Sequence, residues 1–193
     1  MAINDTVFSE YEVRKLTFGF GEGEICDVVC VGSLEEESEV VVVQKKCRGV
    51  VAKTRTRGTG SGKLKLTAHI PFELFVRAFG MNDDRLAEGV YGYGKNSLHP
   101  NMWVAADVYD EDDVRKLKAW PKCSMSTGPA RKVENGSEEV AEVECEISFN
   151  PDENDIGIYE ALFDEITDEN VKQKWLTEFT PSLMLKTPTD SVE

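Results

Sequence analysis

Residues 141–149 read AEVECEISF, and their strict alternation decides the fold class. Ala141, Val143, Cys145, Ile147 and Phe149 make one apolar face, while Glu142, Glu144, Glu146 and Ser148 make the other. A period of two marks a β-strand with one face buried and one wet, as in an antiparallel sheet. Upstream, Asn135-Gly136 has the chemistry of a type I′ hairpin turn, because both residues tolerate positive φ. Downstream, the chain turns at Asn150-Pro151. GIYEALFD (157–164) then reads as a strand, although its length also permits a helix.

Working outward, EICDVVCV (24–31), EVVVVQ (39–44), MWVAADVY (102–109) and KLKAWPKCSMS (116–126) read as strands rich in β-branched and aromatic residues. Residues 51–70 read as a long hairpin with its tip at Gly58-Thr59-Gly60-Ser61-Gly62. Its rising limb places Lys53, Arg55 and Arg57 on one face. Its falling limb separates Leu64, Leu66, Ala68 and Ile70 from Lys63, Lys65, Thr67 and His69. A helix follows Pro71, with Phe72, Phe75, Val76 and Phe79 on one side and Gly80 closing it. Residues 82–101 form a surface loop rich in Gly, Asn and Asp. A last helix starts at an N-cap Thr167, stapled by Ile166 and Val171, and carries Trp175 and Phe179 on one face. The fold class is therefore mainly β, a sandwich or half-barrel with two short helices and a long basic hairpin at about 40–66. We expect a single domain over 1–186 and a polar tail over 187–193.

The chain has 193 residues and a formal net charge of −14, with 40% hydrophobic and 30% charged residues. This is the composition of a folded chain and disfavours non-specific nucleic-acid binding by the whole protein. The charge is unevenly placed. Between Glu39 and Glu73 there is no acid but eight bases: Lys45, Lys46, Arg48, Lys53, Arg55, Arg57, Lys63 and Lys65. The remaining 14 bases face all 36 acids, a difference of −22. The start, MAINDTVFSEYEV, lacks a basic segment followed by an apolar run, and no apolar run approaches membrane-spanning length. With an odd number of cysteines (Cys26, Cys30, Cys47, Cys123, Cys145), free thiols in a reducing cytoplasm are expected. Cys26 and Cys30, four apart in one strand, read as buried small hydrophobes rather than as metal ligands.

Sites of chemistry are not evident. Gly58 to Lys63 fails the phosphate-loop pattern at both ends, since Arg57 and Leu64 stand where glycine and Ser/Thr are needed. The segment from Asp152 resembles a calcium loop, but Ile156 and Phe163 occupy two ligand positions, so an acidic turn is expected. Asn135-Gly136-Ser137 matches a glycosylation acceptor and reads as a plain turn. His69 and His99 have no triad or HExxH context. No enzyme, cofactor or metal is expected. The basic hairpin and the acidic body are the unusual pairing. Opposite patches that do not face each other produce head-to-tail contacts, which close into rings or extend as filaments. Lys53, Arg55, Arg57 and Lys63 are the candidate docking residues. Glu142, Glu144 and Glu146 are the candidate lining of a bore, where carboxylates repel phosphates within a Debye length of about 8–10 Å.

Taken in order, VGSLEEESEV, GKLKLTAHIPFELFVRAFG, WVAADVYDEDDVRKLKAW, CEISFNPDENDIGIYEALFDE and NVKQKWLTEF resemble the major tail (tail-tube) proteins of siphophages, particularly of the Gram-positive type. The resemblance covers most of the chain and is diffuse. It implies hexameric rings that stack into a tube, with a long loop or hairpin reaching the adjacent ring. It also implies partners: the tape-measure protein, the tail terminator, baseplate or distal tail proteins, and genomic DNA in transit without specific binding. The expected location is the virion tail, after assembly in the host cytoplasm, with no membrane partner. Two alternatives stand beside it. One is another ring-forming virion protein, a terminator or decoration subunit; the other is a nucleic-acid-binding module using the hairpin, disfavoured by its lack of interleaved aromatics.

Overall fold

The computed structural model describes residues 8–21 and 23–186. The expected tail at 187–193 lies outside the described residues. The strands are β1 (Glu12–Phe20), β2 (Glu24–Val28), β3 (Val31–Cys47), β4 (Val50–Ala68), β5 (Met102–Tyr109), β6 (Arg115–Met125), β7 (Val143–Asn150) and β8 (Tyr159–Leu162), with helices α1 (Phe72–Ala78) and α2 (Glu169–Lys174). Every pairing is antiparallel, in the order β2-β1-β5-β6-β7-β4-β3, and β8 pairs with β6. The architecture is thus mainly β, as the alternation at 141–149 dictates. It is one sheet coiled on itself rather than two stacked sheets. The strands at its two edges, β2 and β3, are consecutive in the chain and joined only by Val29 and Cys30.

The buried side of α1 packs into the coil. Leu16 and Phe18 of β1, Val104 and Ala106 of β5, Trp120 of β6, Ile147 and Phe149 of β7 and Leu64 and Leu66 of β4 pack around Phe75 and Phe79. Each fully buried side chain of this size stabilises the fold by about 1.5–3 kcal/mol of transfer free energy. Gly80, at φ 59°, ends the helix: its N–H donates to the Arg77 carbonyl, and that of Met81 donates to the Val76 carbonyl. This is a Schellman closure, which favours glycine at this position. Phe72 departs from the expected core face. It is 55% exposed and packs edge-on against Tyr91.

A second apolar layer covers the outer side of β5 and β6. Ala105, Leu117 and Ala119 meet Tyr159, Trp175 and Phe179 there. This double coverage explains why MWVAADVY is apolar on both faces. The Trp175 indole N–H donates to the Lys118 carbonyl. The last helix differs from expectation at both ends. Asp168, not Thr167, is its N-cap, accepting from the Asn170 N–H at 2.8 Å, and the helix stops at Lys174. Trp175 and Phe179 still reach the core through the turns that follow.

Candidate assembly surfaces

The β3–β4 hairpin runs from Val31 to Ala68, longer than the expected 40–66. Its turn is Arg48-Gly49, both at positive φ (51° and 81°), not the glycine-rich stretch ten residues on. Beyond Gly62, β4 loses its pairing with β7, so residues 40–58 form a free two-stranded ribbon. The eight residues from Val40 to Cys47 extend it by roughly 25–30 Å. Register places Lys45 beside Lys53, Val43 beside Arg55 and Val41 beside Arg57, giving one strongly basic face. Val40, Val42, Gln44, Thr54 and Thr56 form the other. Val40 to Val43, Val50 and Val51 are 44–69% exposed. Among the described residues, none of the arm cations Lys45, Lys46, Arg48, Lys53, Arg55 and Arg57 forms an ion pair. A two-stranded ribbon without a core is marginal in water, and this one offers exposed valines on both faces and a row of cations on one.

The glycine-rich stretch is the root of the arm. Gly60 has φ 78°, and a Cβ there would lie 3.0 Å from Pro151. A Cβ on Gly62 would overlap the Glu37 carbonyl oxygen and the Phe149 ring, and one on Gly157 would overlap the Gly60 carbonyl. The glycines let the 150–157 loop press against β4 and bracket the root. Asp152 holds that loop together. It is buried and accepts from the N–H groups of Asn154 (2.8 Å) and Ile156 (3.1 Å) and from the Tyr159 hydroxyl. Burial raises the Asp152 carboxyl, but these donors outweigh it and hold it below the usual carboxylate range. Burial and the Asp152 charge push Tyr159 up to about 12. The calcium-like segment therefore binds its own backbone.

Lys63 is not on the arm. It stands on the outer face of the body, 4.0 Å from Glu146, while Lys65 lies 3.8 Å from Glu35. The columns Glu35/Glu37 of β3, Lys63/Lys65 of β4 and Glu144/Glu146 of β7 lie side by side. The expected acidic stripe is thus one of two acidic columns separated by lysines, with four carboxylates against two ammonium groups. These exposed pairs contribute little stability individually, about 0–1 kcal/mol each. Glu142 leaves its column: its carboxylate lies over Gly32, at the rim of a cleft between β1 and β3.

That cleft, about 830 Å³, opens where β1 and β3 splay apart at the seam of the coil, floored by Val108, Lys118 and Trp120. Lys118 is buried and bridges Glu10 (3.1 Å) and Glu36 (3.0 Å), and the Trp120 indole N–H donates to Glu36. Burial raises the Glu10 carboxyl, but the Lys118 and Lys116 ammonium groups together bring it below its usual range. Sequence reasoning did not find this network, because its members come from β3, β6 and the segment before β1, with no local signal.

The remaining residues are quiet. Cys123 and Cys145 are buried thiols raised by desolvation, Cys145 to about 11, and inert as nucleophiles. Cys30 is exposed, contrary to expectation, because β2 ends at Val28. Asn135-Gly136 turns within a loop rather than joining two strands, although Gly136 has the positive φ expected of it. His99 is held by the Met125 carbonyl at 2.8 Å. No group of three or more metal-ligating side chains is assembled among the described residues, and no described helix is long and apolar enough to cross a membrane.

No protein-family model and no curated protein matches the chain. Among solved structures it is similar to a chain of the cryo-EM structure of the anti-feeding prophage baseplate, six-fold symmetrised, at 14% identity and a TM-score of 0.45, covering 81% of this chain and 97% of that one. It is also similar to a chain of the anti-feeding prophage cap, a tube-terminating cap, at 9% identity and a TM-score of 0.39, covering 84% and 99%.

Proposed function

We propose that this chain is a non-enzymatic structural subunit of a phage-type tail, whose copies join into hexameric rings and stack as a tube around a tape-measure protein. The observation that carries this reading is the arm: a ribbon with six cations and exposed valines, projecting from an acidic body that leaves those cations unpaired. Such a ribbon gains stability only against another surface. Because the arm and the acidic body of one molecule do not face each other, the contact is heterologous and propagates. In this reading Lys53, Arg55 and Arg57 dock between rings. The face bearing Glu144 and Glu146, with Lys63 and Lys65 neutralised between acids, lines the bore. Its excess of carboxylate lets DNA slide without being held. The protein then resides in the virion tail, contacting terminator and baseplate or distal tail proteins at the tube ends.

The test is negative-stain microscopy and sedimentation of purified protein across salt concentrations. Arg55→Glu with Arg57→Glu leaves a folded subunit that makes no long tubes. Unchanged tube length overturns the docking role. A salt-sensitive gel shift with DNA, without assembly, transfers the arm to nucleic-acid binding, although no Phe, Tyr or Trp lies between Glu39 and Ile70 to stack on bases.

A further inference from the structure

We infer that the seam cleft between β1 and β3 is the receptor for the arm tip, residues Lys46–Val50, of a second copy of this chain. The inference rests on the self-assembly reading above and adds the surface that receives the arm.

Three features of the cleft point to this occupant. First, it is walled by two incomplete strand edges. β1 pairs with β2 only from Leu16 onward, and β3 pairs on one side only, with β4. The outward backbone groups of Glu12 to Lys15 and of β3 from Val31 are therefore open to an extended segment, the arrangement that accepts main-chain hydrogen bonds from a partner. Second, the cleft has an excess of negative charge. Glu10, Glu12, Glu36 and Glu142 line it with only Arg14 and Lys118, while Lys116 reaches Glu10 from outside the lining, and all three cations are engaged: Arg14 with Glu12 and Asp113, Lys118 with Glu10 and Glu36, Lys116 with Glu10 and Glu160. Glu142 has no ion-pair or hydrogen-bond partner among the described residues. Third, Gly32 lacks the side chain that would overlap the Glu142 carboxylate, which keeps that carboxylate seated at the rim.

The tip is the matching shape and charge. It is a two-residue turn flanked by Lys45, Lys46 and Lys53, with Arg48 at its apex. A cleft of about 830 Å³ admits such a turn but not the whole ribbon. The tip cannot fill its own cleft. Gly32, in the cleft wall, and Cys47, at the tip, belong to one continuous strand, fifteen residues and roughly 45–50 Å apart. The match is satisfied only between copies, and each copy keeps a free tip and a free cleft, so the contact repeats without self-limitation.

The chain carries its own reporters. Cys47 sits at the tip, Cys30 lines the cleft, and both thiols are exposed. Protein under conditions where particles are visible by microscopy is treated with a short bis-maleimide, then resolved on a denaturing gel and mapped by peptide mass spectrometry. The expected result is a ladder of dimers, trimers and higher species linked Cys30 to Cys47, absent in Cys30→Ser and in Cys47→Ser. Arg48→Glu lowers the ladder at least about tenfold, as does Glu142→Lys, and the double exchange restores it. Particles that form with no Cys30–Cys47 link, or with only Cys47–Cys47 dimers, overturn the cleft as receptor and leave the tube reading standing. No particles and no ladder under any condition overturn both.

Discussion

Replacing Asp152 by alanine removes the acceptor for two backbone N–H groups and the Tyr159 hydroxyl, in a residue that is only 5% exposed. Hydrogen bonds to a charged group contribute about 1.5–3 kcal/mol each, and part of the loop can be rewetted, so the expected loss is about 3–4 kcal/mol. Asp152→Asn keeps an oxygen for the two amides and loses the charge, at about 1–1.5 kcal/mol. Tyr159→Phe removes the hydroxyl alone, and a double-mutant cycle with Asp152→Asn isolates that bond. Urea unfolding followed by tryptophan fluorescence reads all three. The pH dependence supplies the sign. Because the folded carboxyl lies below its usual range, its stabilisation is present above the unfolded value, about 3.9, and is lost as pH falls through the folded one. The difference between wild type and Asp152→Asn therefore shrinks in acid. Added calcium leaves the midpoint unchanged. An Asp152→Ala protein within about 1 kcal/mol of wild type, or a deficit that persists undiminished in acid, refutes the role assigned to this carboxylate.

Two further substitutions probe the frame. Gly62→Ala places a methyl group into the Glu37 carbonyl and the Phe149 ring, so it lowers stability by about 2–4 kcal/mol in thermal melts, whereas Gly49→Asn at the solvent-facing turn costs less than about 1 kcal/mol. Lys118→Met leaves Glu10 and Glu36 without their shared ammonium group. Because both carboxylates are partly solvated, the expected loss is about 2 kcal/mol rather than the 3–5 of a fully buried pair, measured by urea denaturation at neutral pH.

Where a strand buries one face, the sequence declares it. The alternation at 141–149 is β7, and MWVAADVY coincides with β5 because two apolar layers cover it. Gly80 closes α1 by the hydrogen bonds expected of that position. The arm declares itself differently. Val40–Val43 has no buried side, so no alternation fixes its register, and Gly58–Gly62 outweighs Arg48-Gly49 as a turn signal although its glycines serve close packing at the root. β1 escaped notice because its short apolar pattern is interrupted by Gly19, whose missing side chain leaves room for the Trp103 indole. The basic surface was half legible: composition revealed the basic stretch, but only pairing separates Lys63 on the body from the candidate docking residues Arg55 and Arg57 on the arm. The cleft was invisible, since it arises where strands from distant parts of the chain diverge.

The bracket at the root has a mechanical consequence. An arm of roughly 30 Å is a lever, and a swing of about 5° at its base carries the far end by roughly 2.6 Å, enough to break a hydrogen bond. In the proposed assembly the spacing between successive copies is therefore only as accurate as the fulcrum, where three glycines, Pro151 and the Asp152 loop meet. Slack introduced there, far from any contact between molecules, emerges as error in the pitch of whatever the molecules build.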